Sequence, residues 1–244
     1  MRDFDNPPTP LSAAVVMVAP VEALRARLVA VVTESMQGAI AARGLATLAV
    51  PGGSVASTLL PALVDAPVDW ARVHVLWCDE RAGPADGPAS NAALNARTWL
   101  DAVPAVRHPM PAMRADLDAA ARAYERTIDE LVGHAPIDCC VLGVGEDGHV
   151  ASLFPGHDAV RERQRRVLAV HDAPKDPPER LTLTLRCLAS AGRVVVAAMG
   201  EGKRDAVQRA LRDPSADAPV ALLLRAATRP VVLADDAAGA GLAA

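Results

Sequence analysis

The chain has 244 residues, 51% of them hydrophobic, and a net charge of −4 from intermixed acids and bases. That is core material for one large α/β domain or two small ones. The absence of a long basic run argues against nucleic acid or an anionic membrane surface as a partner, and no stretch reaches the length of a membrane span.

Residues 1–10 carry acids and prolines without a basic-then-apolar leader, so the expected compartment is the cytoplasm. Residues 21–43 place apolar side chains at helical spacing, with Pro20 and Glu22 as start signals and Gly44 as a stop. Residues 45–50 then read as a strand, Pro51-Gly52-Gly53-Ser54 as a tight loop, and 55–64 as a short helix. The same strand-then-loop grammar returns at 73–78 before Asp79-Glu80-Arg81, at 137–142 before the Gly143 turn, and at 194–199 before Gly200-Glu201-Gly202-Lys203. A helix is expected from Asn91 to Leu100, with Asn91 as a candidate cap, and another over 115–132. Residues 167–171 and 181–185 read as strands, 220–224 and 230–233 close the chain, and 237–244 is expected to fray.

Alternating strands and helices predict an α/β fold with a mostly parallel sheet. With neither repeat nor boundary in view, 1–244 is read as a single domain. In such sheets ligands bind beyond the carboxyl ends of the strands, where these loops should gather, with 83–90 and 172–179 as surface loops on the rim. Cys78, Cys139, Cys140 and Cys187 fit neither zinc-finger nor disulfide spacing and are read as reduced core residues. Trp77 and Trp99 are likewise assigned to the core.

The richest stretch is Gly143-Val144-Gly145-Glu146-Asp147-Gly148-His149, which sets an imidazole and a carboxylate in a glycine turn after an apolar strand. Read alone, Gly143-x-Gly145-x-x-Gly148 also matches a dinucleotide fingerprint, with Asp172 as its ribose acid. Two features oppose that reading: Pro155-Gly156 interrupts the helix the motif needs, and Asp147 would face a pyrophosphate. Ser152 lacks the setting of a nucleophilic serine, and His157 is a thin second ligand for any metal. His149 is therefore read as a general base, with Asp147 orienting its ring. Gly52-Gly53-Ser54, on its own equally readable as a phosphate loop or as a tight turn with Ser54 as N-cap, gains weight as a phosphate loop through Lys203 in its own glycine loop. Asp79-Glu80-Arg81 must turn at least one charge toward the crevice or pair it locally.

These residues together make the chain resemble the 6-phosphogluconolactonase family from about residue 14 to 233. The glycine turn continuing through Val150-Ala151-Ser152-Leu153-Phe154-Pro155 is similar to the family signature. Asp79-Glu80-Arg81 with Ser90-Asn91 resembles its second motif, and Gly52-Gly53-Ser54 and Gly202-Lys203 its phosphate-side loops; Arg180-Leu181-Thr182-Leu183-Thr184 resembles an intervening segment.

The resemblance implies a three-layer α/β/α fold shared with glucosamine-6-phosphate deaminases. It also implies hydrolysis of 6-phospho-D-glucono-1,5-lactone to 6-phospho-D-gluconate, a step of the oxidative pentose phosphate pathway, with no metal or other cofactor. The catalytic set would be His149, Asp147 and Arg81, with either Arg81 or the backbone N–H groups of the turn receiving the oxyanion. Gly52, Gly53, Ser54, Asp79, Asn91, Gly148, Ser152, Arg180 and Lys203 would bind the small phosphorylated lactone, the chain acting as a monomer or small homo-oligomer. The alternatives are an amino-sugar-phosphate deaminase or isomerase, and a non-catalytic sugar-phosphate binder. Arg81 and the Ala151-Ser152-Leu153-Phe154-Pro155 run depart from the deaminase pattern. Residues 82–88, glycine-rich, and Val55 after Ser54 depart modestly from the lactonase pattern.

Overall fold

A computed structural model describes residues 14–113 and 116–242. Helix α1 (Val21–Arg43) buries Leu24, Leu28, Val31, Val32, Met36 and Ala39 along one stripe, the spacing that a 3.6-residue period demands. It stops at Gly44, whose left-handed φ of 82° lets its N–H reach the Ile40 carbonyl.

Seven strands form one parallel sheet in the order β1 (Val15–Val18), β10 (Pro230–Ala234), β9 (Arg193–Ala198), β6 (Cys139–Gly143), β2 (Ala46–Val50), β3 (Val73–Trp77) and β5 (Val106–His108). From β2 the chain winds outward through β3 to β5, whereas from β6 it winds the other way through β9. The loops after β2 and β6 therefore part and leave a crevice at their carboxyl ends, the topological switch point of an open sheet. β2 and β6 pair directly at only Leu48–Cys139 and Ala49–Cys140. Asp138 supplements that seam: its carboxylate accepts from the Thr47 N–H and hydroxyl, each at 2.8 Å, and from the Arg43 guanidinium at 2.6 Å.

The expected α/β class is realised, and several elements differ from those expected. A second, antiparallel sheet holds β4 (Asp79–Arg81), β8 (Arg180–Leu183) and β7 (Val167–Val170). Asp79-Glu80-Arg81 is thus a strand: the chain leaves β3 at Cys78, whose N–H still bonds the Val50 carbonyl while its own carbonyl accepts from Leu183. β7 and β8 can be antiparallel because a short loop joins them, where a parallel pair would need a full crossover. Pro61 ends the expected 55–64 helix early, so α2 (Gly53–Thr58) passes into a 3-10 turn at Leu60–Leu63.

α3 (Asn91–Thr98) is capped by Ser90, whose hydroxyl accepts from the Ala93 N–H; Asn91 is not the cap. α4 (Leu117–Val132) is capped by Asp116, and Ala115 lies outside the described residues. α5 (Leu185–Ser190) and α6 (Arg204–Arg212) were not anticipated, and residues 220–224 lie inside α7 (Pro219–Ala226). Residues 237–242 do not fray: the Ala237 and Ala240 carbonyls accept from Arg204 and Gln208, and Ala238 is fully buried. Residues 1–10 and 243–244 lie outside the described residues. All four cysteines are free and buried, and Trp77 and Trp99 sit in the core.

Candidate active site

One cavity at the switch point is lined by Gly52, Gly53 and Ser54 from the loop after β2, Asp79 and Arg81 from β4, and Asn91 from α3. Gly143, Val144, Gly145, His149 and Ala151, with Arg180 and Lys203, complete its wall. Residues as distant in the chain as Gly52 and Lys203 thus face one space. Two larger hollows, of about 460 and 480 Å³, lie beside His157 and between the rim loops. Size does not single out the switch-point cavity; its chemistry does.

The glycine turn is built to seat a histidine. Gly145 donates its N–H to the His149 carbonyl at 2.8 Å, and Gly148 donates to the Gly145 carbonyl at 3.0 Å. A Cβ on Gly145 would stand 2.0 Å from His149 Nδ1 and 2.5 Å from Asp147 Oδ1, so the side-chain pair lies directly on this glycine. His149 Nδ1 is 2.5 Å from Asp147 Oδ1. A carboxylate at that distance places the ring proton on Nδ1, leaving the Nε2 lone pair without a protein partner among the described residues. The imidazole packs on Phe154 with ring centroids 4.7 Å apart.

Lys175, on the 172–179 rim loop, lies 3.3 Å from Asp147 Oδ2 and 3.4 Å from His149 Nδ1. Burial, reinforced by the Lys175 charge, lowers the His149 imidazole from its ordinary value against the opposing pull of Asp147. Burial alone would raise Asp147, but its bonds to His149 and Lys175 outweigh that and hold it below the ordinary carboxylate value. The resulting pair is a neutral imidazole oriented by an ionised carboxylate, the protonation state a general base requires.

Another part of the lining is wired through β4. Asp79, almost fully buried, accepts from the Ser152 hydroxyl at 2.7 Å and the Asn91 amide at 3.2 Å; the same amide also donates to the Asp79 carbonyl. Glu80 faces the other way and accepts from the Asn91 and Ala92 N–H groups, each at 2.8 Å, tying β4 to the start of α3. Its burial raises the carboxyl against those backbone donors. Arg81 donates through Nη1 to the Ala89 carbonyl at 2.9 Å, and its buried Nε has no partner among the described residues. Gly52 is required where it stands, because a Cβ there would come within 1.7 Å of Asn91 Oδ1.

Ser54 and Lys203 both line the cavity, with Lys203 loosely paired to Glu146 at 3.9 Å. Arg81, Arg180 and Lys203 give the cavity a cationic cast that suits an anionic ligand. Among the described residues no group of three or more His, Cys, Asp or Glu could hold a metal ion, and no helix is long and apolar enough to cross a membrane.

The expected site residues thus divide. Gly52, Gly53, Ser54, Asp79, Arg81, Asn91, His149, Arg180 and Lys203 line the cavity. Asp147 stands behind His149. Gly148 does not line it: with φ 83° it serves the turn, and its carbonyl accepts from Val220 at the start of α7. Ser152 is fully buried and meets the lining through its hydroxyl, which donates to Asp79 and accepts from Arg180 Nη1 at 3.4 Å. Arg180 spends most of its donors on the rim loop, bonding the carbonyls of Lys175, Asp176 and Pro177 at 2.9, 3.1 and 2.9 Å. Asp172, the ribose acid of the dinucleotide reading, is paired with His157 at 2.8 Å, and neither residue lines the cavity. Lys175 was missed, since a lysine among prolines and aspartates reads as a solvated surface charge.

A family model described as glucosamine-6-phosphate isomerases/6-phosphogluconolactonase matches residues 20–232. The chain is 37% identical over 238 residues to a 6-phosphogluconolactonase of Streptomyces coelicolor, covering 91% of this chain and 90% of that protein. It is 39% identical over 203 residues to one of Mycobacterium leprae, covering 77% and 81%. A solved structure of a 6-phosphogluconolactonase from Shewanella baltica superposes with a TM-score of 0.81 at 28% identity, over 91% of this chain and 97% of that one.

Proposed function

The chain belongs to the glucosamine-6-phosphate isomerase/6-phosphogluconolactonase family, and from that premise we propose that it hydrolyses 6-phospho-D-glucono-1,5-lactone to 6-phospho-D-gluconate in the cytoplasm. The observation that carries this reading is an imidazole, tied through Nδ1 to Asp147, that opens on the same cavity as Ser54 and Lys203.

In the proposed reaction His149 Nε2 removes a proton from a water as its oxygen bonds the lactone carbonyl carbon. Asp147 stabilises the imidazolium so formed. Arg81, which lines the same cavity, is the donor for the tetrahedral oxyanion. When the intermediate collapses, the bond from carbon to ring oxygen breaks, and that oxygen leaves as a hydroxyl with the proton held on Nε2. The new carboxylic acid then ionises to solvent. Ser54 and Lys203 hold the phosphate throughout, fixing the carbonyl against the base.

The test is acid release from freshly prepared lactone, followed continuously with spontaneous opening subtracted. Catalysed release saturating with lactone is expected. A rate no greater than the spontaneous one at any protein concentration would reject the proposal and leave sugar-phosphate binding as the function.

A further inference from the structure

Lys175 has no part in the reaction as written above, yet its ammonium sits against both members of the base pair, 3.3 Å from Asp147 Oδ2 and 3.4 Å from His149 Nδ1. The short bond between Nδ1 and Asp147 Oδ1 already takes the ring proton, so the lysine cannot donate to Nδ1 as well. Its contact with Asp147 is attractive and its contact with the ring is charge against a group that must become a cation. The lysine's location is not accidental to a floppy loop: the buried Arg180 guanidinium bonds the carbonyls of residues 175, 176 and 177, fixing the backbone from which the side chain reaches.

We propose that Lys175 is a positioning residue for the base: it fixes the second oxygen of Asp147, so that the first stays on the ring, and it opposes charging of His149 between turnovers. This rests on the hydrolytic reading above.

The other groups around His149 do not duplicate the effect. Asp147 on the same turn and Asp79 on β4 both favour the charged ring. Arg81, Arg180 and Lys203 share the cavity, but Arg81 is bound to Ala89, Arg180 to the rim loop and Lys203 is paired with Glu146. Lys175 alone of these cations touches the Asp147–His149 pair among the described residues.

Two measurements on the full chain decide the matter. The first is kcat/KM against pH for wild type, Lys175→Met and Lys175→Arg. The wild-type acid limb is expected below the ordinary histidine value of 6.5, because burial and Lys175 both hold off the proton. Lys175→Met is expected to move that limb to higher pH, costing about threefold to tenfold in kcat/KM near pH 6 with KM little changed, and Lys175→Arg to restore it. The second is an NMR titration of the His149 ring in wild type and Lys175→Met, which needs no activity; the ring should charge at higher pH in the variant. An unmoved ring titration, or a KM increase with an unmoved acid limb, overturns the role of Lys175. Loss of lactone hydrolysis in wild type itself rejects the hydrolytic reading instead, and the ring titration still decides whether the lysine opposes the charge.

Discussion

Gly145 carries more of the site than a residue without a side chain would suggest. The space a methyl group would take is filled by the His149 ring, 2.0 Å from the Cβ position, and by Asp147. Gly145→Ala must therefore displace the pair, while the backbone around it can stay folded. Since a misplacement of about 1 Å can cost about a hundredfold in rate, kcat is expected to fall by about that factor with the unfolding transition largely retained. Steady-state kinetics beside a thermal melt checks this; an alanine variant with wild-type kcat contradicts it.

At this scale the sequence was most informative where local chemistry is constrained. A titratable pair inside a glycine turn at a strand end has few reasons to exist other than to present those groups. Ser54 and Lys203, each in its own glycine loop, were legible for the same reason. Lys175 was not, because its meaning depends on a partner ring 26 residues away in the chain. Asn91 was misassigned because a cap and a buried amide tether use the same residue types, and only the fold places its amide on Asp79.

Elements with clear boundary signals or apolar runs, such as α1 between Pro20 and Gly44 and the buried strands β2, β3, β6 and β9, could be placed from the sequence because each satisfies a simple pattern. The small antiparallel sheet could not. Its strands look the same as those of the parallel sheet, and only the pairing of Asp79–Arg81 with Arg180–Leu183 distinguishes them. β5 escaped for a different reason: as an edge strand with Arg107 and His108 it offers no apolar run.

That edge carries a pH dependence of its own. His74 Nδ1 and His108 Nε2 are 2.9 Å apart on β3 and β5, and the His108 carbonyl accepts from Tyr124, which in turn accepts from the Trp77 N–H. Burial lowers His74, and burial together with His74 lowers His108. The unfolded chain thus takes up these protons first, so the stability contribution is full above the ordinary value of 6.5 and is lost as pH falls below it. His74→Gln is expected to flatten the acid-side fall in Tm between about pH 7 and about pH 5. Parallel Tm curves for variant and wild type would remove the histidine pair from this role.

Across the whole molecule, function depends on the point where the winding reverses. β2 and β6 are neighbours that send their following loops apart, so Ser54 and His149 come to face one cavity although nearly a hundred residues separate them. The narrow pairing of those two strands is reinforced by Asp138 with Thr47 and Arg43, far from the chemistry but beneath it. Parallel strands and loops at their carboxyl ends were readable from alternation alone. The strand order was not, because a crossover can land on either side of its parent strand without changing the local pattern.

The proposed hydrolysis requires His149 as the base, and one comparison tests that role: kcat/KM for freshly made 6-phosphoglucono-lactone in wild type and His149→Ala, with spontaneous opening subtracted. Loss of general-base assistance predicts a fall of about a hundred to ten-thousandfold in a variant that remains folded. Hydrolysis by His149→Ala at a rate near that of wild type would contradict it.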